Sequence, residues 1–153
     1  IHFWDFLNGE QSVTHVDLAD SLGRYALEYG WDEQYGGIFR YVDREGGKPR
    51  GRLTGDPLEK TITGSWDTKL WWVHSESLYF SALMAKRLNS EYWRNWYKRI
   101  YDYTFQVFPN PDKQTGEWIQ IHKRDNTPLN EVVALPVKDP YHIFRNFMLM
   151  LEL

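Results

Sequence analysis

Four stretches of this chain place apolar residues at the i, i+3, i+4, i+7 spacing of a helix with one buried face. The first covers residues 12–29, where Val13, Val16, Leu18, Leu22, Tyr25, Ala26 and Tyr29 recur at that interval. The second covers residues 66–88 and is ended by Asn89-Ser90. The third covers residues 91–108 and stops at Pro109, which has no N–H to continue the ladder. The fourth begins at Pro140, a residue suited to a first helical turn, and runs to Leu153. A short apolar run over residues 1–7 reads as the tail of an earlier helix.

Two segments between these helices alternate instead. Residues 35–47 end in a Gly-rich turn and residues 116–127 carry an Asp-Asn turn, as the arms of β-hairpins do. The two align with each other. Asp32, Gln34, Gly36 and Arg44 stand at the same offsets as Asp112, Gln114, Gly116 and Arg124, with Glu45 answering Asp125. This is an internal repeat of about 80 residues. It predicts helical hairpins, each joined by a loop containing a small β-hairpin, that stack side by side into a toroid. Residues 44–64, rich in Gly, Pro, Lys and Arg, read as a long solvated loop.

Composition narrows the function. Charged residues make up 25% and the net charge is −3, so no broad basic footprint awaits nucleic acid or an anionic membrane. No apolar run approaches the ~20 residues that span a bilayer. The absence of cysteine excludes disulfides and thiolate metal sites and fits a cytoplasmic protein. The aromatic content stands apart: Phe, Trp and Tyr make up 17% of the chain, with eight Trp. Indoles pack helices together, and they also stack on the apolar faces of sugars.

Two clusters could carry chemistry. On one continuous helix, Lys69, Trp72 and Glu76 lie at i, i+3 and i+7 and share a face, with Trp71 and His74 as a neighbouring stripe. That is a stacking platform flanked by hydrogen-bonding groups, or else an amphipathic helix with a core Trp pair and a surface ion pair. At the start of the last helix, His142 and Arg145 lie at i, i+3 ahead of a strongly apolar run. A His at that position implies a pocket at the helix end, where it can move protons near neutral pH, or a ring held by a backbone carbonyl. The five His are scattered, with no metal-ligand spacing, phosphate loop, dinucleotide fingerprint or nucleophile elbow. Neither a metal nor a cofactor is expected.

Taken in order, Gly30-Trp31-Asp32 with Gly36-Gly37, residues 69–76, Gly116-Glu117-Trp118, and Lys138 through Pro140-Tyr141-His142 to Arg145 resemble a known family. They look like the C-terminal motifs of the N-acylglucosamine 2-epimerase superfamily, which includes cellobiose 2-epimerases and aldose–ketose isomerases. The resemblance runs from about Tyr29 onward. It implies an all-α fold, an (α/α) toroid of helical hairpins. Residues 1–153 would form a single partial barrel with short β-hairpins in its connecting loops, the C-terminal portion of a longer family domain.

The resemblance also implies proton abstraction and return at C2 of an open-chain sugar, through an enediolate. His142 matches the catalytic His of the family's Tyr/Phe-His-x-x-Arg helix start. Trp71, Trp72 and Glu76 match sugar-lining positions, with Lys69, His74 and Arg145 as further substrate contacts. The second catalytic His of the family, in a Gly-His-x-x-Glu motif, has no match: His2 and His15 lack that context, and Asp139 replaces a usual Gly. Both ends of the chain read as cut. Half a toroid would expose apolar faces that call for a second copy or the missing N-terminal part. The alternative is a carbohydrate- or protein-binding remnant without catalysis. A glycoside-processing enzyme would need two carboxylates flanking the bond, and Glu76 and Asp139 sit in no recognisable glycosidase motif.

Overall fold

The computed structural model describes residues 13–130 and 140–153. In chain order the described elements are α1 (Val13–Gly30), α2 (Pro57–Gly64), β1 (Lys69–Leu70), α3 (Trp71–Leu88), α4 (Glu91–Val107), β2 (Ile121–His122) and α5 (Pro140–Leu151). The architecture is a partial (α/α) toroid: helices carry the fold, a small sheet sits among the connectors, and the described residues do not close a barrel. The expected fragment of helix over residues 1–7 lies outside the described residues.

α3 is the middle of the assembly, packed on α4 and α5 and touching α1. Leu78 and Met84 of α3, Trp93 and Ile100 of α4, and Phe108 beyond it are fully buried. Burying such side chains contributes roughly 1.5–3 kcal/mol each, which outweighs the weak intrinsic stability of isolated helices. Asn89 ends α3 in the left-handed conformation (φ 47°), and its N–H reaches back to the last carbonyls of the helix. The Trp93 indole donates to Asp20 at 2.6 Å and so fastens α4 to α1.

The internal repeat is visible as hydrogen bonds. Gly36 N–H donates to Asp32 O at 2.8 Å, and Gly116 N–H to Asp112 O at 3.1 Å. The two Asp side chains cap the same turns, accepting from Gln34 N at 3.0 Å and Gln114 N at 2.9 Å. Gly36 and Gly116 sit at φ 74° and 63°, where a side chain would be strained. A second turn repeats as well: Asp43 N–H bonds Gly47 O at 3.0 Å, and Lys123 N–H bonds Thr127 O at 2.8 Å.

Three expectations are corrected. The 44–64 loop contains α2, opened by Asp56, whose carboxylate accepts from Leu58 N, with Pro57 in the first turn. That is an N-cap and first-turn pair. The helix expected from residue 66 starts at Trp71, because the backbone before it is used elsewhere. Trp66 O accepts from Tyr41 N, Thr68 O from Arg40 N, and Lys69–Leu70 pairs with Ile121–His122. Within the connectors the fold-back is held by isolated bridges, Trp31 with Ile38 in the first and Pro109 with Trp118 and His122 with Pro128 in the second. The two-stranded antiparallel sheet joins different connectors, Lys69 facing His122 and Leu70 facing Ile121.

Candidate active site at the head of the last helix

α5 brings His142, Arg145 and Asn146 onto the face of α3 that carries Trp72, Ser75 and Glu76. Glu76 is the hub. Its Oε1 lies 2.6 Å from His142 Nδ1 and also accepts from Arg145 Nη2. Burial raises the Glu76 pKa, but the hydrogen bonds from His142, Arg145 and Asn146, with the Arg145 charge, outweigh it and hold the carboxyl below its usual range. An ionised Glu76 accepting from Nδ1–H fixes the His142 tautomer and makes Nε2 the basic nitrogen. The Trp72 ring lies 5.3 Å from the imidazole at 31°, and Trp71 meets it edge-on at 6.3 Å. Trp72 is 41% exposed and can offer its ring to a ligand, whereas Trp71 belongs to the core.

The structure therefore gathers His142, Glu76, Arg145, Trp72 and Trp71. It does not bring Lys69 or His74 into this group. Lys69 precedes the helix in β1, so the helical-face spacing that joined it to Trp72 and Glu76 does not apply. Its fully buried Nζ lies 3.1 Å from Asp32 Oδ2 and donates to Gly36 O at 2.8 Å. Arg124 grips the same carboxylate in a fork, Nε to Oδ2 at 2.9 Å and Nη2 to Oδ1 at 3.2 Å. Burial alone would raise the Asp32 pKa, but these two cations bring it down to about 2. Lys69 shares the Asp32 carboxylate with Arg124, and burial pushes its amine down to about 8.

His74 is fully buried with both nitrogens satisfied. Nδ1 donates to Leu70 O at 2.7 Å, and Nε2 accepts from Ile38 N–H at 2.9 Å. Burial pushes its pKa down to about 3, which keeps the ring neutral. It stacks on Tyr103 with centroids 5.1 Å apart. Lys69 and His74 thus hold the first connector against β1 and α3, and so fix the start of the helix that carries Trp72 and Glu76.

The sequence reading missed Ser75 and Asn146, which bond each other at 2.7 Å behind the Glu76 hub. It also missed the Asp32–Lys69–Arg124 triad. His2 and Asp139 lie outside the described residues. Among the described residues no group of three or more His, Asp or Glu is placed to hold a metal ion. No helix among them is long and apolar enough to cross a membrane. An open cleft of about 480 Å³, bordered by Tyr35, Asp67, Thr68, Arg124 and Asp125, lies on the connectors and includes none of the His142 group.

The profile of the N-acylglucosamine 2-epimerase family matches residues 1–146, nearly the whole chain. The chain belongs to this family. The match takes in α1, ahead of the first recognisable motif at Gly30. Among relatives, N-acylglucosamine 2-epimerase from Bos taurus is 28% identical over 76% of this chain and 24% of its own length. The enzyme of that name from Mus musculus is 27% identical over 85% of this chain and 28% of its own.

Solved structures agree on the fold. D-mannose isomerase superposes with a TM-score of 0.72 at 20% identity, covering 97% of this chain and 33% of the other. Cellobiose 2-epimerase from Bacillus thermoamylovorans gives 0.61 at 20% identity, covering 95% and 32%. This family member thus spans about a quarter to a third of the length of the proteins it matches.

Proposed function

We propose that this chain carries one arm of the proton-transfer site of a sugar 2-epimerase or aldose–ketose isomerase, with His142 as the acid–base group. The observation that carries the reading is the 2.6 Å contact between Glu76 and His142 Nδ1 beside an exposed indole. A carboxylate on Nδ1 orients an imidazole and supports the charge it gains on accepting a proton at Nε2. The C–H at C2 of an open-chain aldose is acidic because C1 is a carbonyl, so removing it yields an enediolate. Returning a proton to the other face of C2 inverts that centre, and returning it to C1 gives the ketose. Trp72 stacks against the sugar chain and holds C2 over the ring, while Arg145 keeps Glu76 ionised. The names of the relatives, which are sugar epimerases and isomerases, support the same reading.

The chain has no Gly-His-x-x-Glu motif, so on this reading the second proton-transfer group is supplied from outside residues 1–153. The quarter-to-third share of the relatives' length supports reading this chain as a portion of the family domain, and the order of its motifs is what makes that the C-terminal portion on this reading. Apolar residues exposed on α5, Phe144, Met148 and Leu151, offer a face for further helices of the toroid or for a second copy. The test is to incubate the protein with N-acetylmannosamine, mannose and cellobiose in D₂O and follow the C2 proton by NMR. Exchange into one of these sugars supports the reading and names the substrate class. Sugar binding without exchange would favour a binding module.

A further inference from the structure

Ser75 and Glu76 are neighbours on α3, and Arg145 and Asn146 are neighbours on α5. The two pairs face each other. Arg145 Nη2 donates to Glu76 Oε1 and also to Asn146 Oδ1 at 3.0 Å, using both of its hydrogens. Asn146 Nδ2 donates to Ser75 Oγ at 2.7 Å. Asn146 is 0% exposed and Ser75 1%, so this end of the network is sealed from water. Around it α5 packs Ile143 and Met150 against the core.

An apolar side chain would fill such a position without a polar group to satisfy. Burying an amide is tolerated only when its hydrogen bonds are made, and an unmade one costs about 1–3 kcal/mol. Asn146 makes them, and its bonds run toward the hub. The Arg145 Nε has no partner among the described residues, so the hydrogen bonds that orient the guanidinium are those of Nη2, with the Tyr141 ring 5.0 Å from Cζ on its face.

We propose that Asn146 is a positioning residue for His142. It acts through Arg145 and Glu76, with Ser75 as the anchor that fixes the amide. The inference rests on the reading of His142 as the proton-transfer group. Without the Asn146 carbonyl, Arg145 loses one of its two acceptors and can turn away from Glu76, and the carboxylate is then free to leave Nδ1. The imidazole keeps its place on α5 but loses its fixed tautomer.

The experiment compares Asn146→Leu and the isosteric Asn146→Asp with the unaltered protein, by sugar C2-exchange kinetics and by ¹⁵N NMR of the His142 ring. Both variants are expected to lose kcat by about tenfold or more, with KM within about twofold: the Leu variant because Arg145 loses its acceptor, the Asp variant because its carboxylate competes with Glu76 for Arg145 and has no N–H to anchor it on Ser75. The ring nitrogens are expected to change from a single Nδ1–H tautomer to a mixture. Asn146→Asp preserves the volume should the Leu variant not fold. Unaltered kcat and an unaltered tautomer in a folded variant overturn the inference even if His142 proves essential. If exchange survives His142→Asn, the catalytic reading fails, and an unaltered ring tautomer in the Asn146 variants would overturn the positioning role independently.

Discussion

Glu76 Oε1 sits 2.6 Å from His142 Nδ1, joining the second turn of α3 to the first turn of α5 across 66 residues of sequence. The same oxygen takes the Arg145 guanidinium, so one carboxylate orients the imidazole while a cation keeps it ionised. The pair is held from behind by Asn146 and Ser75 and from below by the buried contacts that start α3 at Trp71.

Replacing Glu76 with Gln leaves the shape and removes the charge. Exchange at the sugar C2 is expected to fall about a hundredfold or more, because the imidazole loses both its fixed tautomer and the support for its cation. Arg145 is left without its counter-ion, so stability is expected to fall by about 1–3 kcal/mol. Single-turnover kinetics and urea unfolding check the two effects separately.

Trp72→Ala tests the aromatic wall. Its ring is 41% exposed and does not belong to the buried core, so the fold is expected to tolerate the change. Sugar affinity is expected to weaken by about two- to tenfold, in line with the roughly 0.5–1.5 kcal/mol that ring stacking contributes. Trp71→Ala, which empties a core position, is expected to lower the melting temperature instead.

Asp32→Ala is the strongest predicted destabilisation. It removes the carboxylate that Lys69 bonds in the interior and that Arg124 grips, and breaking a buried ion pair from one side costs about 3–5 kcal/mol. Denaturant unfolding of this variant gives the number. The converse substitution, Lys69→Met, removes the cation whose amine is already pushed down to about 8 and is expected to cost less.

Stability should fall as the medium is acidified, with His74 as a main cause. The unfolded chain takes up a proton near pH 6.5, whereas the folded ring holds out to about 3. Between those values the unfolded state binds one more proton, so stability falls by about 1.4 kcal/mol per pH unit. His122, whose pKa burial also lowers, adds in the same direction. Asp32 adds its share only below its usual 3.8, as the pH approaches 2. His74→Gln, which can still serve Leu70 O and Ile38 N, is expected to give a shallower pH dependence between 6 and 4. Urea midpoints across that range are the measurement.

Trp72, Glu76, His142 and Arg145 were legible in the sequence because each sits on a helix whose spacing is regular, and four motifs in order identified the family. The Asp-x-Gln-x-Gly positions were legible as matched offsets of a repeat, and the structure shows why both copies keep them: each is a turn that needs its Asp and its Gly. Lys69 was misplaced because residues 66–70 contain neither Gly nor Pro to mark a break before Trp71. What stops the helix there is backbone pairing to residues 40, 41 and 120–122, distant in sequence. Asn146 and Ser75 left no pattern at all: a single amide in an apolar run acquires meaning only from the hydroxyl it meets 71 positions away. The triad was hidden for the same reason, since Asp32 and Arg124 read only as matched positions of the repeat.

The most direct test of the central claim is the exchange of the C2 proton of a bound sugar in D₂O, compared between the unaltered protein and His142→Asn. The account predicts measurable exchange that the substitution abolishes while sugar binding persists. Exchange that continues undiminished in His142→Asn would contradict it.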